Sequence, residues 1–183
     1  MVPTEMPVLH RKPVLLRAFV PSDAELVRAV AGDPQIPLIT TVPTSGTLAD
    51  ALAFIERQHD RLASGEGYSF AVVDSARDEP VGQVGLWLRD VAFGRASVGY
   101  WIASAFRGHG YAVAALDAIS RWGLSLDGVF RIELQVEPSN EGSWRAAERV
   151  GYMREGLMRS WRQVGDERRD LYLYSLLPSD LTS

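Results

Sequence analysis

Arg107-Gly108-His109-Gly110-Tyr111-Ala112 stands between a strand-like run, Ala96-Ser97-Val98-Gly99-Tyr100-Trp101-Ile102-Ala103, and a helical stretch from Val113 to Leu124. A glycine-rich turn at such a junction is suited to an anion. The first turn of a helix leaves N–H groups unpaired and carries partial positive charge, and glycine removes the Cβ atoms that would keep a phosphate away from those donors. The natural guest is a phosphorylated cofactor. A turn that merely lets a strand enter a helix has the same letters, so this stretch alone leaves both readings open.

Working outward, Val14 to Phe19 reads as a strand, and Pro21 with Ser22-x-x-Glu25 as a capping box launching a helix to about Ala31, stopped by Gly32-Asp33-Pro34. Thr47 caps a second helix, with Leu48, Leu52, Ile55 and Leu62 on one face, ending near Gly65. Tyr68 to Val73, Val81 to Leu88 and Ala96 to Ala103 form an antiparallel meander broken by turn-like segments at 75–80 and 90–95. After the glycine turn come a helix, a strand from Arg131 to Glu137, a helix ending near Val150, and two strands around Gly165-Asp166-Glu167. The order is β-α-α-β-β-β-α-β-α-β-β, without repeats, low-complexity tracts or linkers.

The chain has 183 residues, 46% hydrophobic and 23% charged, the mixture of one soluble globular domain spanning residues 1–183. No apolar run is long enough to cross a bilayer, and the first dozen residues, with prolines, Glu5, His10 and Arg11, do not make a secretory signal. A cytoplasmic protein with no membrane partner is expected. The absence of cysteine excludes disulfides and an acyl-cysteine intermediate. A net charge of −4 and a pI near 5.4 give no basic field for nucleic acid. His10, His59 and His109 lack metal-ligand spacing, so no metal is expected.

The pattern Arg107-x-x-Gly110-x-Ala112 resembles the acyl-coenzyme A pyrophosphate signature of the GNAT N-acetyltransferase superfamily. Further pieces follow in the family's order: the strand Arg131 to Glu137, then Pro138-Ser139-Asn140-Glu141-Gly142-Ser143, then Gly151-Tyr152-Met153-Arg154-Glu155-Gly156. The Asn-x-x-Ser and Gly-aromatic-x-x-Glu-Gly elements are similar to those of the RimJ/RimL branch. The resemblance covers roughly Val14 to Leu177. It implies an α/β (α+β) GNAT fold: a mixed, mostly antiparallel sheet of six to seven strands, flanked by about four helices and split as a V between the fourth and fifth family strands.

It also implies an acyl-CoA-dependent N-acyltransferase using acetyl-CoA or another short acyl-CoA. The acceptor would be a primary amine, at a protein N-terminus or in a small molecule such as an amino acid or aminoglycoside, and transfer would be direct within a ternary complex. Trp101, Ile102 and Ala103 would offer backbone groups to the pantetheine arm. Arg107 would supply charge beside the pyrophosphate, and Gly108, His109, Gly110, Tyr111 and Ala112 N–H donors and close approach. The His109 side chain itself reads as a solvated loop histidine. Asn140 would bond the pantetheine arm or the neighbouring backbone, and Ser143 would give a proton to the departing thiolate; either could instead cap the helix that follows.

The general base is less legible. Related chains carry glutamates where this one has Ser97 and Ala114. Glu133, Gln135 and Glu137 share one face of their strand, opposite Ile132, Leu134 and Val136, so Glu133 or Glu137 could reach an amine through water, or could simply pair with arginines. An enzyme with no dedicated base is a third reading. Missing carboxylates also motivate a rival: a degenerate domain that binds acyl-CoA as a sensor or interaction module. The acceptor loops implied by the resemblance are Asp33 to Thr47 and Val164 to Arg169. Monomer and homodimer are both compatible with the sequence.

Overall fold

The computed structural model describes Pro3 and residues 5–181. Strands β1 (Leu9–Arg11) and β2 (Val14–Arg17) open the chain. Helices α1 (Ala24–Ala29), α2 (Ile36–Ile39) and α3 (Leu48–Ala63) follow, then β3 (Gly67–Asp74), β4 (Glu79–Trp87) and β5 (Arg95–Ile102). Helix α4 (Tyr111–Gly123), β6 (Arg131–Val136), α5 (Glu141–Val150), β7 (Met153–Val164) and β8 (Glu167–Leu176) complete the order. One sheet runs β1-β2-β3-β4-β5-β6-β8-β7. Its neighbours are antiparallel except β5 and β6, which run parallel because α4 carries the chain between them.

The GNAT architecture expected from the sequence is present, with eight strands and five α-helices among the described residues in place of six to seven and about four. The additional short elements are β1 and α2. Arg11 on β1 places its Nε 2.6 Å from Asp117 of α4, and Asp117 also receives Arg121 Nε at 2.9 Å, so an ion pair fastens the opening strand to the central helix.

Alternation along the strands builds two cores. Val84, Leu86, Val98, Ile132 and Leu134 face α4 and α5, where Ala115, Leu116 and Ile119 are fully buried. Ala71, Val73 and Trp101 face the other way, against Phe19, Val27, Phe54 and Ile55. A side chain such as Phe54 or Ile119, removed wholly from water, contributes about 1.5–3 kcal/mol. Gly123 lets α4 lie close to the sheet, since a Cβ there would stand 2.9 Å from Ile132 Cδ1.

Helix starts follow the sequence unevenly. Thr47 caps α3 as expected, its hydroxyl accepting from the Asp50 N–H at 3.2 Å. The capping box placed at Ser22 is corrected: Asp23, not Ser22, holds the turn, accepting from the Val20 N–H at 2.9 Å. Asp23 can do this while buried because Arg17 grips both its oxygens, at 2.7 and 2.9 Å.

Glu155 on β7 accepts from Arg131 and from Ser175 Oγ, which draws its carboxyl down to about 2 from an ordinary 4.5. A carboxylate held below its unfolded value contributes stability that is present above about pH 4.5 and is lost as pH falls toward 2. Tm should therefore fall with pH across that window, and less steeply in Glu155→Gln; parallel Tm profiles for the two proteins would contradict the assignment. Glu155 is partly exposed, so solvent screening keeps the effect modest.

Candidate functional site

β5 and β6 pair only from Arg95↔Arg131 to Val98↔Leu134. Beyond that point β5 continues on β4 as far as Ile102↔Gly82, while β6 continues on β8 to Val136↔Tyr172. The sheet opens as a V. A cavity of about 620 Å³ passes through the opening, lined by Tyr100, Leu134, Val136 and Ser143 from the α4/α5 face and by Trp87, Ser97, Trp101 and Glu133 from the other.

Backbone direction along β5 follows from its bonds to β4. Ala103 N–H donates to the Val81 carbonyl at 3.0 Å, so by antiparallel alternation Trp101 and Ala103 turn their N–H groups to β4, and Tyr100 and Ile102 turn theirs to the split. Ile102 alone of the expected trio thus stands at the open edge with its backbone, and Tyr100 joins it. The Ile102 carbonyl already accepts from Arg107 Nε at 3.1 Å.

The glycine turn meets α4 with Gly108 and Gly110 at φ +84° and +80°, the left-handed region, and with nothing within 4 Å of a Cβ built at either. No side chain caps α4, whereas Thr47 caps α3 and Asn140 caps α5. The first N–H groups of α4, from Tyr111 and Ala112, therefore begin a helix with no side-chain acceptor, entered through glycines in open space. That donor set fits an anionic phosphate group. Arg107 reaches Asp33 at 3.1 Å and stays half exposed beside the turn. Burial raises the Asp33 carboxyl, but N–H donation from Ile36 and Gln35 and the charge of Arg107 together leave it lowered. The His109 ring meets the Arg107 carbonyl at 2.9 Å and stacks on Tyr111, whose hydroxyl donates to the buried Asp74 at 2.5 Å.

At the opposite lip, Asn140 Oδ1 accepts from the Ser143 N–H at 3.2 Å. The cap is thus a side chain of Asn140 and a backbone group of Ser143, which leaves the Ser143 hydroxyl for something else. It lies 3.0 Å from the Tyr100 hydroxyl. Burial raises the Tyr100 phenol and the Ser143 contact opposes this, with a net upward shift, so Tyr100 keeps its proton at neutral pH. Tyr100 was not singled out from sequence; its signal is that it alternates in phase with Val98 and Ile102 onto the face that α5 covers.

Glu133 faces the cavity as the strand alternation indicates, directly across from Ser97 in the β5–β6 register. A carboxylate therefore stands next door to Ser97, on β6. Glu133 receives Arg131 Nε at 2.8 Å, and Glu137 receives Arg169 at 3.0 Å. Ala114 is buried against the sheet, away from the cavity lining.

The far wall is Trp87. Its indole lies over Gly85 and Gly99, where added Cβ atoms would stand 2.7 and 3.3 Å from the ring, so larger residues would displace it. Behind it a buried amide network fixes Trp101: Nε1 donates to Gln83 Oε1 at 2.6 Å, and Gln83 Nε2 donates to Gln58 and Ser69 at 2.9 and 2.6 Å. Both loops implied as acceptor loops touch the cavity, through Leu38, Ile39 and Thr41 on one side and Val164 and Arg169 on the other. Among the described residues no group of three His, Cys, Asp or Glu is placed to hold a metal, and no helix is long and apolar enough to cross a membrane.

Comparison with known proteins agrees with this geometry. The family model described as an acetyltransferase (GNAT) domain matches residues 14–153. An uncharacterised N-acetyltransferase, p20 of Bacillus licheniformis, is 26% identical over 172 residues, covering 94% of this chain and 97% of its own. Mycobacterium smegmatis RimJ, solved with a CoA-disulfide, superposes with a TM-score of 0.81 at 23% identity, covering 97% of this chain and 89% of that one. RimL, the ribosomal L7/L12 α-N-protein acetyltransferase, solved with coenzyme A, gives 0.80 at 16% identity, with 93% and 98% covered. At those identities the structural likeness speaks for the fold, and the family model, which matches most of the chain, makes it a member of the GNAT acetyltransferase family.

Proposed function

We propose that the protein is an acyl-CoA-dependent N-acyltransferase that passes acetyl from acetyl-CoA to a primary amine, directly and within a ternary complex. One observation carries the reading: β5 and β6 part beside a walled cavity, and the chain leaving β5 turns through glycines into an uncapped helix start. The presence of CoA in the RimJ and RimL structures and the naming of p20 as an N-acetyltransferase support it.

Acetyl-CoA brings an activated thioester; the chain must bind it, position an amine and move protons. The α4 N-terminus and Arg107 bind its phosphates, and the edge of β5 at Tyr100 and Ile102 offers backbone donors and acceptors to the pantetheine arm. Transfer forms a C–N bond and breaks a C–S bond, so the thiolate gains a proton and the amine loses one. Ser143 gives the first, backed by Tyr100 at 3.0 Å. Glu133 takes the second, directly or through water. Asn140 orients Ser143 through its backbone N–H. Amine-dependent release of CoA thiol, followed with metal chelator present, tests the proposal; release that needs an amine and ignores chelator is expected, and no release with any amine would refute it.

A further inference from the structure

We infer that the amine acceptor carries an anionic group, a carboxylate or a phosphate, close to its reacting amine, and that Arg61 and Arg162 receive it. The inference rests on the transferase reading above and names the class of acceptor for that same cavity.

The charged side chains on the cavity wall are Arg61, Arg89, Arg162, Arg169, Glu133 and Glu137. Both glutamates are already matched, Glu133 by Arg131 at 2.8 Å and Glu137 by Arg169 at 3.0 Å. Arg89 is matched by Glu66. Among the described residues, Arg61 and Arg162 alone of the cavity's four arginines have no carboxylate within 4.0 Å. Their hydrogen bonds go to neutral oxygens, Arg61 to Thr41 Oγ1 and Arg162 to Gln135 Oε1, each at 3.3 Å.

Arg61 is the better defined of the two. Its guanidinium lies 5.6 Å from the centre of the Trp87 ring, half-buried on an indole that Gly85 and Gly99 hold flat against the sheet. Burial lowers its pKa by more than the charge of nearby Glu66 raises it, and the neighbouring Arg89 and Arg57 add to the lowering. A planar guanidinium fixed on an aromatic face, with donors left over, is preorganised for a carboxylate or a phosphate. The same excess of positive charge repels polyamines and aminoglycosides, whose recognition calls for uncompensated carboxylates. An ammonium alone gains nothing on this wall. An ammonium with a neighbouring anion is attracted by it, and its anion anchors the molecule while its amine points to the split.

The test is a set of acceptors in matched pairs, each differing by the anion: phenylalanine against phenylalaninamide, O-phosphoethanolamine against ethanolamine, and the peptide Ala-Asp-Asp-Ala against Ala-Asn-Asn-Ala. The first two pairs report a small-molecule source and the third a protein N-terminus. The anionic member should be preferred in kcat/KM by about tenfold or more, as one charged hydrogen bond gives. That ratio should collapse in Arg61→Met/Arg162→Gln, with the KM for acetyl-CoA unmoved as a check on folding, and Arg61→Lys should retain part of it. Preference for the members without the anion, or a ratio unchanged in the double variant, would overturn the inference while leaving the transferase reading intact. Absence of amine-dependent thiol release across the whole set, in protein that binds acetyl-CoA, would overturn both.

Discussion

Gly110→Asp is expected to weaken acetyl-CoA binding by about 100-fold while the protein stays folded. Open space surrounds a Cβ at this position, so the fold has no steric objection, and aspartate tolerates left-handed backbone better than most residues. Strain there costs on the order of 1 kcal/mol. The larger effect is Coulombic: a carboxylate about 5 Å from a phosphate charge, at an effective dielectric near 20, is repelled by roughly 3 kcal/mol, which is about two powers of ten in affinity. Gly110→Asn separates the causes, because it has the same shape and the same backbone tolerance without the charge. Asn should lose at most about tenfold, the share expected of strain. Titration calorimetry with circular dichroism on wild type, both variants and a remote Ser75→Asp control reads the outcome. Equal affinity in folded Asp and Asn variants would remove the phosphate assignment.

Ser143→Ala is expected to lower kcat by about 100-fold, within the range for loss of a positioned proton donor, and to move the KM for acetyl-CoA little. Because Asn140 Oδ1 bonds the Ser143 backbone N–H and not its hydroxyl, the alanine variant keeps the helix cap and should keep its Tm. Asn140→Ala should do the opposite to stability, costing about 1 kcal/mol. Tyr100→Phe should reduce kcat less than Ser143→Ala, and the double variant should resemble Ser143→Ala, since Tyr100 acts through the serine hydroxyl 3.0 Å away. A Ser143→Ala protein with lowered Tm and wild-type turnover would return the serine to a purely structural role.

The parts of this molecule legible in sequence are those written in local chemistry. Helix α3 shows its cap at Thr47 and its apolar face, β6 shows its alternation, and the glycine turn shows the start of α4, read at Val113 and found at Tyr111. Elements too short to carry a period were missed: β1 has three residues, and α2 has four with Pro37 among them. Ser22 looked like a cap because serine often is one, but Asp23 won the position once Arg17 could neutralise it inside the fold. Register is the other gap. That Ser97 stands across from Glu133, that Trp87 rests on Gly85 and Gly99, and that Tyr100 meets Ser143 all depend on how strands from distant parts of the chain align. Charge balance in the cavity is hidden for the same reason, since the partners of Arg89 and Arg169 lie far off in the chain, and Arg61 and Arg162 are left without one among the described residues.

Direct transfer requires that both ligands be held at once, one on either side of the split. Initial rates of CoA release, measured over a matrix of acetyl-CoA and amine concentrations with the acetylated amine quantified by mass spectrometry, test it most directly. Intersecting double-reciprocal lines, with one acetylated amine for each thiol released, are predicted. Parallel lines, or thiol release that does not depend on the amine, would contradict it.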